Sequence, residues 1–184
     1  SDSQVAERTE ITIKMANAAG QSAEIISDQL TAVWNNFYDG TQTLEHYADA
    51  MVRLGADTAS SSDEIAAGLE KFASIGPMIG LGFDEAAAAL ATVTAQTRQS
   101  ADVVGTAYKT IFARIQGLNL GETLDDGTTL GQYSEALMKV GINIKDTNGE
   151  MKEMDQILDE MAVKWDTLGK AEQTALAQNV AGVR

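Results

Sequence analysis

Apolar side chains recur at the spacing of an α-helix along almost the whole chain, and this pattern restricts the possible folds more than any other feature. Two clear examples of residues that share one helical face are Ile26, Leu30, Val33 and Phe37, and Val104, Tyr108, Ile111 and Ile115. A single proline in 184 residues leaves long helices uninterrupted. The sequence therefore predicts an all-α fold of eight or nine helices, in one domain over residues 1–184.

The predicted helices are separated by short polar or glycine-containing breaks. Residues 1–20 are the least clear part, because Ile11, Ile13 and Met15 alternate as in a strand while the alanine, glutamate and arginine around them favour a helix, which we predict there. The later helices are predicted from Ser22 to the Asp39-Gly40 stop, from Leu44 to Gly55, from Ser61 or Ser62, from Asp84 to Thr97, from Ser100, from Tyr133 to Val140, from Met154 to Trp165 and from Glu172 to Ala181.

Three of these helix starts share a short sequence. The tetrapeptides that begin at Ser22, Ser62 and Ser100 have an acidic third residue and an apolar fourth residue, and they are spaced 40 and 38 residues apart. Such a period is typical of stacked helical hairpins. The alternative is that serine with a nearby acidic residue is simply a common helix start.

Two segments in the second half of the chain interrupt the helical pattern. In the first, glycines at 117, 121, 127 and 131 divide a stretch that is too rich in glycine and threonine to hold a helix. In the second, Asn148-Gly149 lies between short apolar segments that contain Ile144 and Met151. Asn-Gly in this setting predicts a small β-hairpin, with a turn at residues 146–149 and a positive φ at Gly149.

The helix that follows carries two large apolar residues near its C-terminal end. Met161 and Trp165 continue the face formed by Met154, Ile157 and Leu158. The pattern therefore predicts that both are core residues, and that replacing Trp165 with alanine costs about 3 to 5 kcal/mol.

The stretch from Ser100 to Trp165 resembles the core region of the tape measure proteins of long-tailed bacteriophages. The similarity is carried by seven short segments in the family's order, none of which is a catalytic signature. They are Arg98 to Val104 (RQSADVV), Phe112 to Ile115 (FARI), Thr123 to Gly131 (TLDDGTTLG), Gly141 to Ile144 (GINI), Asp146 to Met151 (DTNGEM), Ile157 to Met161 (ILDEM) and Lys164-Trp165. Weaker similarity extends to Asn35 to Phe37, Gly68 to Phe72 and Ala177 to Gly182, whereas Gly76-Pro77 departs from the family pattern.

The resemblance implies a structural role in a phage tail. Tape measure proteins lie in the lumen of the tail tube, set tail length while the tube protein polymerises around them, and leave ahead of the DNA at infection. The implied location is the virion, and the host cytoplasm before assembly. The implied partners are the tail tube protein, tail assembly chaperones and tail tip proteins, with self-association as a further expectation. We also interpret the chain as a piece of a longer protein.

Charge and composition argue against several other classes of function. The net charge of −14 argues against direct binding of nucleic acid and against adhesion to an acidic membrane surface, because both depend on lysine and arginine. The absence of cysteine excludes disulfides and thiolate metal sites. Since no stretch approaches the roughly 18 consecutive apolar residues of a membrane-spanning helix, we expect no stable membrane insertion.

Two patterns suggest catalysis or phosphate binding, and both have a simpler explanation. His46 is the only histidine, which excludes paired-histidine metal sites, and the sequence identifies no partner that would make it a general base. Gly105-x-x-x-Lys109-Thr110 has Tyr108 where a phosphate loop needs its second glycine.

Two acidic patterns suggest a cation site, and a turn explains each of them better. Asp146-x-Asn148-Gly149 has Ile144 where a calcium loop needs its first carboxylate. Asp125-Asp126 precedes a glycine, which is typical of a solvated turn. We therefore predict no catalytic, cofactor-binding or metal-binding residue, and no enzymatic activity.

Residues 86–121 differ in charge from the rest of the chain. They contain Arg98, Lys109 and Arg114 but only one acidic residue, Asp102. One interpretation is a surface for an acidic partner. The other, which we favour because the three basic residues do not share a helical face, is a central and mostly buried pair of helices.

Two other functions remain as alternatives to the structural role. Within a phage tail or a related injection machine, the chain would be either a membrane-active module or a peptidoglycan-hydrolysing module. The acidic charge argues against the first alternative, and the absence of a recognisable catalytic motif argues against the second.

Overall fold

The computed structural model describes residues 2–58, 60–116 and 131–181, which are mostly helical and include no β-strand. The helices in these ranges are α1 (Asp2–Ala19), α2 (Ala23–Phe37), α3 (Leu44–Asp57), α4 (Ser62–Ala73), α5 (Phe83–Thr97), α6 (Ala101–Gln116), α7 (Gly131–Lys139), α8 (Met154–Trp165) and α9 (Lys170–Ala181), with a 3-10 turn at Pro77–Ile79. The helical prediction is thus confirmed, including the helix within residues 1–20.

Short polar side chains begin several helices at the predicted positions. The Ser22 hydroxyl accepts a hydrogen bond from the N–H of Ile25, and the Thr43 hydroxyl accepts one from the N–H of His46. At the start of α4, the Glu64 carboxylate accepts from the N–H of Ser61 at 2.9 Å. These bonds satisfy N–H groups that the first turn of a helix leaves without an intrahelical partner.

The described contacts divide the chain into two compact units. Unit 1 comprises Ser1–Met78 and Gly82–Thr106, and unit 2 comprises Ile79–Leu81 and Ala107–Arg184. In unit 1, α4 packs against α2, α3 and α5, so that it lies at the centre of the core. The fully buried side chains of this core include Ile26, Met51, Ile65, Leu69, Phe72 and Leu90. The single domain over residues 1–184 stays a prediction.

The three repeated tetrapeptides lie at the starts of neighbouring helices. They precede or begin α2, α4 and α6, and α4 contacts each of the other two. The second helices of the first two pairs, α3 and α5, also contact each other. In unit 1, equivalent helices of successive pairs therefore lie side by side.

The contact between α4 and α6 brings two glycines together without any side chain between the backbones. A Cβ atom on Gly68 would lie 2.6 Å from the carbonyl oxygen of Ala101. A Cβ atom on Gly105 would overlap the carbonyl oxygen of Gly68. Since both obstacles are backbone atoms, only glycine permits this approach of the two helices.

The β-hairpin predicted around residues 146–149 is wrong. The segment forms a turn with one isolated antiparallel bridge, between Lys145 and Met151. The Asp146 carboxylate holds the turn by accepting hydrogen bonds from the N–H groups of Asn148 and Glu150, at 2.8 and 2.9 Å. The N–H of Glu150 is thereby bonded to a side chain instead of the opposite backbone, and pairing across the turn does not extend beyond this bridge into a two-stranded ladder.

Gly149 nevertheless adopts the predicted positive φ, of 86°. We expect Gly149→Ala to destabilise the protein by about 1 kcal/mol through backbone strain alone, because an added Cβ would meet no atom within 4 Å. Gly20→Ala is a matched variant, since Gly20 has a φ of 67° and equally open surroundings. Urea denaturation of both variants measures the losses; no loss for Gly149→Ala would contradict a left-handed turn at this position.

The predicted burial of Met161 and Trp165 is also wrong. Met154 and Ile157 are fully buried, but Met161 is only half-buried and Trp165 is 37% exposed. The fully buried face of α8 therefore ends at Ile157, about two turns before the helix does. The backbone carbonyl of Trp165 accepts a hydrogen bond from the Gln173 side chain at 2.8 Å, which links the end of α8 to α9.

Candidate interaction surface

Five aromatic side chains of unit 1 form one cluster, where the C-terminal end of α2 meets the beginnings of α3 and α5. They are Trp34, Phe37, Tyr38, Tyr47 and Phe83. Trp34 and Tyr38 are four residues apart, so they lie on the same side of α2. We refer to these five residues as the aromatic cluster.

The inner part of the aromatic cluster belongs to the core. Tyr47 is 1% exposed, and its ring lies 4.2 Å from that of Phe83, between centroids, in an edge-to-face arrangement. Its hydroxyl donates a hydrogen bond to the backbone carbonyl of Phe37, at 3.1 Å. Burial raises the pKa of the Tyr47 phenol, and the negative charges of Asp39 and Asp84 raise it further.

The hydrogen bond from the Tyr47 hydroxyl satisfies the carbonyl of Phe37 at the C-terminal end of α2, where carbonyl groups have no partner within the helix. We expect Tyr47→Phe to cost about 1 kcal/mol or more, because it leaves the Phe37 carbonyl without the Tyr47 donor in a buried position. Tyr38→Phe is the control, since the Tyr38 side chain is exposed, and it should change stability by less than about 0.5 kcal/mol. Equal losses in urea denaturation would contradict the role of the Tyr47 hydroxyl.

The outer part of the aromatic cluster faces solvent. The rings of Trp34 and Tyr38 stack with centroids 4.0 Å apart and an interplanar angle of 17°. Tyr38 is 49% exposed, and Trp34 is half-buried, with its edge against Tyr47 at a centroid distance of 5.5 Å. The protein thus presents a fixed stack of two large rings at its surface.

Polar side chains border the aromatic cluster, because the ring of His46 lies 6.2 Å from those of Tyr47 and Phe83. His46 Nε2 lies 2.8 Å from Asp84 Oδ1, and the Gln42 side chain donates to Asp84 Oδ2 at 2.7 Å. Hydrogen bonds from the hydroxyl and the N–H of Thr41 lower the pKa of the Asp39 carboxyl. His46, for which the sequence identified no partner, therefore contacts a carboxylate 38 positions away, and this contact ties α3 to α5.

Comparison with known families identifies the class of protein. The model of the family described as phage-related minor tail protein matches residues 1–182. The chain belongs to this family. As a phage tail protein it is a component of the virion. No solved structure matches this tail protein, and none of the helices that the structure describes is both long and apolar enough to cross a membrane.

In this tail protein, two of the three patterns that suggested phosphate or cation binding have other structural roles. Lys109 and Thr110 lie inside α6 rather than in a loop, which is incompatible with a phosphate loop. The Asp146 carboxylate is used within its own turn. Asp125-Asp126 lies outside the described residues, as do the glycines at 117, 121 and 127. Over the described ranges, no three histidine, aspartate or glutamate side chains are grouped so that they could hold a metal ion.

The basic residues of the positively charged window differ in exposure. Arg98 is exposed at the end of α5, where it adopts a left-handed conformation with a φ of 57°. Lys109 and Arg114 are half-buried on α6. Two of the three are partly withdrawn from solvent, which favours the interpretation of this window as interior helices.

The sequence located two of the three buried members of the aromatic cluster, but neither Phe83 nor the exposed surface. Phe37 and Tyr47 fall on predicted apolar faces, whereas Trp34 and Tyr38 do not. The spacing of these two residues, at i and i+4 near the end of a helix, is a signal that would have found the stack.

Proposed function

We propose that this tail protein is the folded module of a tape measure protein, and that it acts in tail assembly, in the determination of tail length and in genome ejection. The observation that carries the proposal is the family match over residues 1–182. Within that range, seven segments from Arg98 to Trp165 resemble the tape measure core, and this resemblance supports the finer assignment.

The short helices support a role as a folded module rather than as the measuring segment itself. A continuous helix adds about 1.5 Å per residue, so a ruler needs long uninterrupted helices. The longest helix that the structure describes, α1, has 18 residues and therefore spans only about 27 Å. In unit 1, moreover, helices pack against one another around a buried core. The module itself would then add little to tail length, which a helical region elsewhere in the parent protein would set.

The location and partners of the module follow from the same proposal. It would lie in the lumen of the tail tube, after a period in the host cytoplasm, and it would contact the tail tube protein, tail assembly chaperones and tail tip proteins. We propose that it does so without catalysis. In support, His46 and Asp146, the two residues that most resembled parts of a reactive or cation-binding site, have structural partners.

Insertions in the parent phage test this function. Ten flexible residues inserted after Asn148, in the exposed turn of unit 2, should leave tail length unchanged. Ten residues inserted in register into a long helical region outside this chain should lengthen tails by roughly 15 Å. Electron micrographs measure both lengths. Proportionate lengthening by the first insertion would show that the module is stretched along the tube, and no lengthening by the second would contradict a tape measure.

A further inference from the structure

The outer surface of the aromatic cluster combines two features that recognise one kind of chemical group. It exposes stacked rings, whose faces carry negative electrostatic potential. Two carboxylates also lie close to the cluster: Asp39 directly follows Tyr38 in the chain, and Asp84 follows Phe83 and contacts His46, whose ring lies 6.2 Å from those of Tyr47 and Phe83. A planar cation interacts favourably with both features at once.

The two exposed rings are fixed in position before any partner binds. Trp34 is fixed between Tyr38 on one side and the edge of Tyr47 on another, and Tyr47 is itself buried. Little side-chain freedom is therefore lost when a partner contacts the stack, which lowers the cost of binding. Tryptophan, tyrosine and arginine are the residues most enriched among those that dominate the energy of protein interfaces.

The carboxylates are fixed and can accept further hydrogen bonds. His46 and Gln42 hold the two oxygens of Asp84, and Thr41 holds one oxygen of Asp39. An ionised carboxylate has about four acceptor positions, so each group retains capacity for a donor from a partner. The surroundings add a favourable field, because unit 1 contains 15 acidic and only 5 basic residues.

We propose that the aromatic cluster is a docking surface for an arginine side chain carried by a segment of a partner protein. The guanidinium would stack on the exposed ring pair and donate to Asp39 or Asp84. Arginine fits better than lysine, because its planar group stacks on rings and donates hydrogen bonds in a fork that matches a carboxylate. The acidic charge of unit 1 favours a basic protein segment over nucleic acid. This surface does not depend on whether the protein measures tail length.

A fluorescence titration tests the docking surface directly. In a Trp165→Phe background, Trp34 is the one tryptophan left in the chain, so its emission reports on the stack alone. The probes are a glycine-spaced arginine peptide, Gly-Arg-Gly-Arg-Gly, and its lysine counterpart. We expect the arginine peptide to change Trp34 emission saturably and to bind more tightly than the lysine peptide.

Three substitutions in this background separate specific docking from general attraction to an acidic protein. Tyr38→Leu keeps an apolar side chain but removes one ring, and should weaken binding about two- to fivefold, which corresponds to one exposed cation–π contact. Asp39→Asn and Asp84→Asn should each weaken binding and reduce its dependence on salt. Asp57→Asn is the control, because it makes the same change of charge at the exposed end of α3 in the same unit and should leave affinity nearly unchanged.

Circular dichroism melts establish that each variant is folded before it is titrated. An unchanged Trp34 emission, equal affinity for both peptides, or an equal effect of Asp57→Asn and the two cluster substitutions would each overturn the proposal. The tail-length insertions test the tape measure function independently, so a failure of the docking surface can be distinguished from a failure of that function.

Discussion

Gly105→Ala should destabilise unit 1 by about 3 kcal/mol, although alanine is the better helix former. The added Cβ would overlap the carbonyl oxygen of Gly68, which is a backbone atom and cannot rotate away. The overlap is relieved only if α4 and α6 move apart. Since α4 packs against α2, α3 and α5, such a movement disturbs most of the core of this unit.

The neighbouring exposed residue supplies the control for this substitution. Thr106→Ala changes an exposed residue in the same turn of α6, and should alter stability by less than about 0.5 kcal/mol. Urea denaturation followed by far-UV circular dichroism measures both variants. If Gly105→Ala instead stabilised the protein by about 1 kcal/mol, as helix propensity alone predicts, the backbones of α4 and α6 would not be in contact.

Phe72→Ala should cost about 3 to 5 kcal/mol, because the Phe72 side chain is 0% exposed and its removal leaves a cavity in the core of unit 1. Trp165→Ala is the matched comparison, since both aromatics lie at the C-terminal end of an amphipathic helix. Trp165 is 37% exposed, and its loss should cost only about 1 kcal/mol.

The same denaturation experiment distinguishes the structure from the sequence pattern. The pattern places both aromatics on an apolar face and predicts similar, large losses for both. A loss of about 3 kcal/mol or more for Trp165→Ala would support the pattern and contradict the exposed position of this side chain.

Helices were predictable from this sequence because their signals are local. The 3.6-residue period and the capping residues at Ser22, Thr43 and Ser61 act within one or two turns, and the structure has helices at those positions. The limits of burial were not predictable in the same way. Periodicity identifies the inward face of α8. Whether Trp165 on that face is buried or exposed depends on how far the neighbouring elements extend along the helix.

The turn at residues 146–149 shows the same division between local and longer-range information. Asn148-Gly149 specified a tight turn, and Gly149 has the expected positive φ. A hairpin also needs several paired residues on each side, but here the Asp146 carboxylate takes up the N–H of Glu150 and the connection forms one bridge, between Lys145 and Met151.

The aromatic cluster depends on contacts between residues far apart in the chain. Tyr47 and Phe83, and likewise His46 and Asp84, are brought together by the packing of α3 against α5. No local sequence pattern indicates that residues so far apart in the chain are in contact. The close approach of Gly68 and Gly105 is equally invisible in the sequence, because each glycine alone only weakens its own helix.

Cross-linking inside assembled tails tests most directly whether this protein acts as a folded module. Lys71 Nζ on α4 lies 3.0 Å from Asp102 Oδ1 on α6, and the chain has no cysteine of its own. In tails that carry Lys71→Cys and Asp102→Cys, a short bismaleimide should join the two positions, and mass spectrometry of tryptic peptides would detect the product. If the segment were a continuous helix along the tube, the two positions would be roughly 46 Å apart. A cross-link that forms in the isolated protein but not in tails would contradict the folded module.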